Sequence, residues 1–250
     1  MKRIIANHES EVPQMKRIGV IGGMGQWATM DVIERILKAS VNYPIAQYGN
    51  RGYPPMDIRM VNKAPMILNS DGSYPEKLEP SEALLEAAEY VGEKSDFIIV
   101  TSNTAHIFQE QIEKTSNKPL LSLIDVAVEE AVKRNYKKVG IMAIGVTIRE
   151  SLFQQPLGKN GIESVLLSEK ISKALEDEGI YPVQEGAKIS EELARPALIA
   201  LNSLRDQGVD GIILGCTEIP ILLGDVANDS DVINPSQLIA EKAIKEALFV

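Results

Sequence analysis

The stretch "FIIVTSNTAHIF", residues 97–108, predicts the end of a buried β-strand followed by a helix. A second stretch, "GIILGCTEIPIL" at residues 211–222, has the same order of apolar run, small polar cluster and helix-like segment. The only cysteine of the chain, Cys216, takes in the second stretch the place that Ser102 takes in the first. The two stretches therefore predict two equivalent strand ends, each followed by a polar loop.

Short apolar runs alternate with longer helical patterns along the rest of the chain. Strands are expected at residues 18–21, 57–61, 97–101, 120–123, 139–144, 164–167, 211–215 and 232–233. Helices are expected at residues 28–41, 81–93, 105–115, 125–135, 148–157, 168–178, 190–207 and 236–248. Strict alternation of this kind predicts an α/β fold whose parallel sheets are covered by helices on both faces.

A weak internal repeat suggests that the chain has two similar halves. "KRIGVIGGMG" at residues 16–25 resembles "KKVGIMAIGV" at residues 137–146, and each enters a loop. We expect two pseudo-symmetric doubly wound domains, each with a mainly parallel sheet and with the active site in the cleft between them. The first domain would comprise residues 16–121 plus 232–250, the second residues 122–231, and residues 1–15 would be an N-terminal extension. Ser102 and Cys216 would then face each other across the cleft.

The composition excludes several function classes. Of the 250 residues, 44% are hydrophobic and 24% charged, which is enough apolar material for a sizeable core. The net charge of −9, with both signs interspersed, argues against a nucleic-acid partner. One cysteine allows neither an internal disulfide nor a cysteine-based metal cluster. No apolar run approaches the roughly 20 residues that span a bilayer. Because no signal segment opens the chain, we expect a cytoplasmic protein with no membrane partner.

The glycine loop "GGMGQWA" at residues 22–28 fits a dinucleotide-binding fingerprint only locally. That fingerprint needs an acidic residue about 20 positions later, and residues 38–56 contain none. The pattern instead favours a tight turn whose backbone N–H groups can meet a carboxylate at a helix N-terminus.

The polar cluster after each of the two strands has a structural and a functional interpretation. Asn103 or Thr104 is expected to cap the following helix with its side chain. His106 is expected to be structural, because the nucleophile-elbow pattern G-x-S-x-G is absent. Cys216 is either an inert buried residue or a thiol activated at a helix N-terminus, and the residues leave both open. Glu218 either orients a neighbour or complements the helix dipole.

Three segments together, "IGVIGGMGQWAT", "SNTAH" and "GCTEIP", resemble the aspartate/glutamate racemase family in order and in spacing. The resemblance extends loosely from Lys16 to the C-terminus and includes "PSQLIAEKAI" at residues 235–244. It implies a homodimeric, cofactor-independent enzyme that acts on a small acidic amino acid, aspartate or glutamate. In this family one cysteine removes the α-proton and a second cysteine donates a proton to the opposite face.

The resemblance also assigns the site residues. The second cysteine corresponds to Cys216 and the first to Ser102, where the family usually has cysteine. The residues expected to bind the substrate are Met24, Asn103, Thr104, Thr147 and Thr217. The resemblance does not assign the group that binds the side-chain carboxylate, for which Arg51, Arg59 and Lys63 are candidates. No metal or cofactor is expected.

Serine at position 102 changes the expected chemistry. Forming a thiolate at pH 7 costs about 2 kcal/mol, whereas forming an alkoxide costs roughly 12 kcal/mol. Ser102 is therefore an engineered replacement that traps substrate, the weak member of an asymmetric racemase site, or the mark of a decarboxylase-like enzyme that needs only one thiol. A protein that binds a small dicarboxylate without turning it over is the alternative from a different class.

Overall fold

The computed structural model describes residues 14–42 and 52–248. Strands and helices alternate along these residues, as predicted, and form a mixed α/β fold with two parallel four-stranded sheets. No helix in the described ranges is both long and apolar enough to cross a membrane. Most of the predicted N-terminal extension, and the candidate Arg51, lie outside the described residues.

The first sheet is buried on both faces at its centre. Its strands are β1 (Ile18–Gly22), β2 (Met56–Met60), β3 (Phe97–Val100) and β4 (Leu120–Leu121). They are parallel and lie in the order β2-β1-β3-β4. Every residue of β1 and β3 is buried, which explains why these strands are continuous apolar runs. Neighbouring residues Ile98 and Ile99 belong to different core clusters because successive side chains point to opposite faces.

The second sheet repeats this arrangement. Its strands are β5 (Lys138–Met142), β6 (Glu163–Leu166), β7 (Gly211–Leu214) and β8 (Val232–Ile233), in the order β6-β5-β7-β8. Hence β5 corresponds to β1 and β7 to β3, and the loops that carry Ser102 and Cys216 leave equivalent strands. We call each sheet with its helices a lobe. The prediction placed residues 232–250 in the first domain, but β8 pairs with β7 and belongs to the second sheet.

The helices follow the predicted order. They are α1 (Gln26–Ser40), α2 (Glu82–Gly92), α3 (Gln109–Ser116), α4 (Leu123–Lys133), α5 (Gly145–Arg149), α6 (Gln154–Lys159), α7 (Glu169–Leu175), α8 (Tyr181–Gln184), α9 (Glu191–Arg205), α10 (Ile219–Leu223) and α11 (Pro235–Leu248). Short 3-10 turns cover Thr104–Phe108 and Gly224–Asn228, and a π-helical turn covers Glu176–Ile180. The C-terminal helix α11 packs on α1 and α4, so the chain returns to the first lobe after β8.

One predicted helix is interrupted. Residues 148–157 were expected to form a single helix, but α5 ends at Arg149 and α6 begins at Gln154. Between them Ser151 has a φ of 55°, in the left-handed region that a right-handed helix cannot contain. The apolar spacing of this segment predicted a helical period but not the break within it.

Candidate active site

A cavity of about 350 Å³ lies where the carboxyl ends of the first sheet meet the second lobe. The described residues that line it are Gly23, Met24, Gly25, Gln26, Asn62, Lys63, Ala64, Pro65, Met66, Tyr74, Ser102, Thr104, Ile144 and Gln184. Three predicted site residues are among them: Met24, Ser102 and Thr104. The other four, Asn103, Thr147, Cys216 and Thr217, are buried and are not among the lining residues. A mixed polar and apolar cavity at strand ends is the expected place for a ligand in an α/β fold.

Cys216 follows β7 and is 7% exposed. Its thiol donates a hydrogen bond to the Glu218 carboxylate, with Sγ 3.1 Å from Oε2. Burial raises the pKa of the Cys216 thiol well above its ordinary value, and the negative charge of Glu218 raises it further. The resting thiol therefore keeps its proton, and the position at a helix N-terminus does not make it a free thiolate.

Glu218 connects the two lobes. It is 2% exposed, and its Oε1 lies so close to the glycine loop of the first lobe that a Cβ on Gly25 would collide with it. Within the described residues this Oε1 has no hydrogen-bond partner. Burial raises the pKa of the Glu218 carboxyl, while the hydrogen bond from Cys216 opposes that rise. The Glu218 side chain makes no helix-cap hydrogen bond, and its Oε2 accepts from the Cys216 thiol and can accept from the Thr217 hydroxyl.

The loops after β3 and β7 are in contact. The Thr217 hydroxyl lies 3.5 Å from the backbone carbonyl oxygen of Thr101 and 3.4 Å from Glu218 Oε2, and it can donate its one proton to either acceptor. Each of these threonines is next in the chain to one member of the predicted pair, Cys216 or Ser102. The structure therefore brings the loops after β3 and β7 into contact, and the facing of Ser102 and Cys216 across a cleft stays a prediction.

The side chain of Thr29, in α1, fixes the glycine loop after β1 by hydrogen bonds to its backbone. Its hydroxyl accepts the Gly23 N–H at 2.9 Å, donates to the Gly25 carbonyl at 2.8 Å and lies 2.8 Å from the Thr101 hydroxyl. All these groups are buried, so each bond is shielded from water. The network connects the loop after β1 to the loop after β3, and it gives the cavity wall near Met24 a defined shape.

His106 cannot activate Ser102. Its Nε2 accepts the backbone N–H of Leu123 at 3.1 Å, so its Nδ1 carries the proton and donates it to the Ser102 carbonyl at 2.8 Å. Burial lowers the pKa of His106 to about 4, so the ring is neutral at pH 7. Both ring nitrogens are thus used by the backbone, and the prediction of a structural His106 is consistent with this geometry. The Ser102 hydroxyl has no hydrogen-bond partner within the described residues.

Asn103 and Thr104 do not cap the following helical turn, and that prediction is wrong. The Asn103 side chain makes no cap bond, and the turn is closed by the His106 N–H bonding to the Asn103 carbonyl. The Asn103 amide nitrogen and oxygen are buried without a partner in the described part of the chain. A buried amide without a partner is energetically unfavourable, at about 1–3 kcal/mol, unless a ligand or water completes it.

Thr147 lies behind the cavity wall rather than on it. It is fully buried, and its hydroxyl is 3.1 Å from the Thr104 hydroxyl. At the start of the same helix, α5, the Gly145 N–H donates to Glu176 Oε1 at 3.0 Å. The side chain of Glu176 thereby satisfies the first backbone N–H of α5.

Several groups near the cavity were missed by the sequence analysis. Tyr74 and Gln184 line it but come from segments with no motif. Burial and the charge of Glu176 raise the pKa of Tyr74, and Cys216 contributes to the same rise. The Tyr74 hydroxyl therefore lies within electrostatic range of the acid and the thiol of the second lobe. Only a tertiary contact identifies these residues, because neither has a sequence neighbour with a recognisable function.

The described residues contain no metal site, and a second cavity lies away from the predicted site residues. No group of three or more metal-ligating side chains is assembled in the described residues. A larger cavity of about 960 Å³ lies between α7 and α9, and none of the predicted site residues lines it. The cavity at Ser102 is therefore the candidate active site.

Comparison with known proteins gives one consistent result. Residues 18–243 match the family model described as Asp/Glu/Hydantoin racemase. The chain is 23% identical over 237 residues to the broad specificity amino-acid racemase RacX of Bacillus subtilis, covering 92% of this chain and 98% of that protein. It is 26% identical over 162 residues to glutamate racemase of Aquifex pyrophilus, covering 62% of this chain and 61% of that enzyme.

The fold is likewise that of solved racemases. Picrophilus torridus aspartate racemase superposes with a TM-score of 0.75 at 23% identity, covering 92% of this chain and 93% of the other. Glutamate racemase from Francisella tularensis, solved with D-glutamate, superposes with a TM-score of 0.59 at 18% identity. The predicted fold class, two α/β units each with a parallel sheet, is confirmed by these likenesses.

Proposed function

The chain belongs to the Asp/Glu/hydantoin racemase family, and we propose on this basis that it is a cofactor-independent enzyme that moves a proton at Cα of an acidic amino acid. The observation that carries the proposal is the buried hydrogen bond between the Cys216 thiol and the Glu218 carboxylate. Relatives that are themselves named as amino-acid racemases support an amino acid as the substrate. Aspartate and glutamate are both open, and we expect a homodimer in the cytoplasm.

Cys216 and Glu218 form a pair that can share one proton. A thiol beside a carboxylate and a thiolate beside a carboxylic acid carry the same single negative charge. Moving the proton from Sγ to Oε2 therefore creates no additional buried charge, although the thiol alone is hard to ionise there. The Cys216 thiolate would then take the Cα proton while Glu218 holds the proton that left the thiol.

The substrate would be held by the polar side chains of the loops after β3 and β7, of which the Asn103 amide has no partner in the described residues. We assign the α-carboxylate to the Asn103 amide and to the Thr104 hydroxyl, with Thr217 beside them. Met24 would contact the substrate from the glycine loop. Thr147, which is fully buried, would act by orienting Thr104 through their hydrogen bond. The unpaired, buried Asn103 amide supports this assignment because a carboxylate oxygen would satisfy its N–H donors.

Ser102 makes the proposed site one-sided. Its hydroxyl would need roughly 12 kcal/mol to form an alkoxide at pH 7, about 10 kcal/mol more than a thiol needs. His106 cannot act as a base for the Ser102 hydroxyl, because both of its ring nitrogens are hydrogen-bonded to the backbone. A difference of this size corresponds to about seven orders of magnitude in rate. We therefore expect proton exchange with the enantiomer whose Cα–H faces Cys216, and little or no racemisation.

Hydrogen–deuterium exchange at Cα in D₂O, followed by proton NMR for each enantiomer of aspartate and glutamate, tests the proposal. The parent is expected to exchange one enantiomer only, Cys216→Ala neither, and Ser102→Cys both enantiomers with racemisation. Ser102→Ala is the matched control, and it is expected to behave like the parent. Exchange by Cys216→Ala at the parent's rate would refute the role of the thiol. A Ser102→Cys variant that racemises no faster than Ser102→Ala would refute the prediction that residues 102 and 216 face the substrate from opposite sides.

A decarboxylase-like activity is a second candidate, and the pairing of one thiol with an inactive serine favours it. Protonating a carbanion left by loss of CO₂ requires one acid and no opposing base. Release of CO₂ from substituted malonates, with no exchange of amino acids, would establish it. Tight binding of a dicarboxylate with neither reaction would instead indicate a binding protein.

A further inference from the structure

Lys63 is the one charged side chain among the described residues that line the cavity at Ser102. It lies on the segment that follows β2, and it is exposed. Within the described residues it forms no ion pair and no side-chain hydrogen bond. A cation that is free of protein partners and borders a cavity can pair with an anionic group of a ligand.

The backbone around Lys63 is held firmly at both ends. On one side the Val61 N–H donates to the Gly22 carbonyl at 2.7 Å, next to the glycine loop. On the other side the Ser81 N–H and hydroxyl donate to the carbonyls of Pro65 and Ala64, both at 2.9 Å. The position of Lys63 is therefore set by fixed neighbours, while its long side chain stays free to reach a ligand.

Arg59, another of the three candidate cations, makes its contact outside the cavity. Arg59 lies in the edge strand β2, and its guanidinium carbon is 5.3 Å from the centre of the Tyr90 ring on α2. It does not line the cavity. Arg59 and Lys63 were indistinguishable in the sequence, and the tertiary structure separates them.

The charges around the cavity show what Lys63 can recognise. Across from the first lobe lie the acids Glu218 and Glu176, and the thiol of Cys216. An amino acid with a second carboxylate carries a net negative charge, which the acids Glu218 and Glu176 would repel. A side-chain carboxylate paired with Lys63 would be stabilised by its positive charge, whereas a carboxylate beside Glu218 or Glu176 would be repelled.

We propose that Lys63 binds the side-chain carboxylate of the substrate and determines the preference for acidic over neutral amino acids. This inference rests on the proposed function for the identity of the substrate. A charge-assisted hydrogen bond of this kind corresponds to a change in affinity of about 10- to 100-fold.

The test compares Lys63→Met with Arg59→Met, the matched control outside the cavity. Binding of aspartate, glutamate and succinate is measured by calorimetry, and KM and kcat are measured by Cα–H exchange with the acids and with their amides, asparagine and glutamine. Lys63→Met is expected to weaken binding of the acids and raise their KM by about 10- to 100-fold, with kcat and the amides nearly unchanged. Lys63→Arg is expected to restore binding of the acids, and Arg59→Met to match the parent.

Salt dependence gives a readout that a merely structural role would not change. Added salt should weaken binding of the acids to the parent but not to Lys63→Met. Equal affinity of the parent and Lys63→Met for all three acids would overturn the inference. If no variant exchanges any amino acid, the proposed function fails, and the calorimetry alone still decides whether Lys63 binds the carboxylate.

Discussion

Replacement of Glu218 by glutamine should make the Cys216 thiol more acidic and the enzyme slower. In the structure Glu218 does two things to Cys216: its charge raises the thiol pKa, and its Oε2 accepts the thiol proton at 3.1 Å. Glutamine has the same shape and removes the charge. If Glu218 only disfavoured the thiolate, the variant would be the faster enzyme. If Glu218 holds the proton during the reaction, the variant loses a general base.

The expected loss for a general acid–base group is about 10²- to 10⁴-fold in kcat. The thiol pKa is expected to move down toward its ordinary value, although burial still keeps it raised. Because Cys216 is the only cysteine in the chain, the pH dependence of its alkylation by iodoacetamide reports its ionisation without interference. Exchange at Cα in D₂O reports the reaction.

Glu176→Gln is the matched control for this experiment. Glu176 also raises the pKa of Cys216 through its charge, but it is bonded to Gly145 and Tyr181 instead of to the thiol. This variant should make the thiol slightly more acidic without the large loss of exchange. A Glu218→Gln enzyme that exchanges as fast as the parent, or faster, would refute proton transfer between Cys216 and Glu218.

Two further predictions concern stability. Burial lowers the pKa of His106 from 6.5 to about 4, so the unfolded chain binds more protons than the folded chain between these pH values, and stability rises with pH across that window. Urea titration at pH 4 and 7 should show that the free energy of unfolding of the parent gains about 3 kcal/mol relative to His106→Gln, and an equal pH dependence of the two proteins would contradict a buried neutral imidazole. At Gly25 a Cβ would collide with Glu218 Oε1, so Gly25→Ala should lower the melting temperature by the equivalent of about 1–3 kcal/mol and impair exchange. Gly158→Ala is the control, because nothing lies near the added Cβ in helix α6; it should leave exchange unchanged and raise the stability slightly, by about 0.5–1 kcal/mol.

Much of the fold could be predicted from local sequence. All eight predicted strands are present within one or two residues of their expected bounds. Strands such as β3 are continuous apolar runs because helices cover both faces of the sheet, and this pattern is visible in four consecutive residues. The repeat of apolar run and polar loop likewise predicted that Ser102 and Cys216 leave equivalent strands, which the matching sheet orders bear out.

The sequence was less informative where a position depends on distant parts of the chain. A two-residue strand carries no sign of its partner, so only the pairing of β8 with β7 placed it in the second sheet. The left-handed Ser151 ended a helix that apolar spacing had continued. The place of β8 depends on a strand far away in the chain, and a single left-handed residue leaves no trace in the spacing of apolar residues.

The sequence by itself determined the chemistry that is present: one thiol, one serine in the matching place, and polar loops at the ends of buried strands. Only the tertiary structure decided how these groups are used. In the folded chain Glu218 accepts the hydrogen bond of the Cys216 thiol, both ring nitrogens of His106 bond to the backbone, and the Asn103 amide has no partner in the described residues. The tertiary structure also separated Lys63 from Arg59. Local patterns encode strands and loops, whereas the pKa and the partners of a side chain depend on burial and on contacts between residues far apart in the chain.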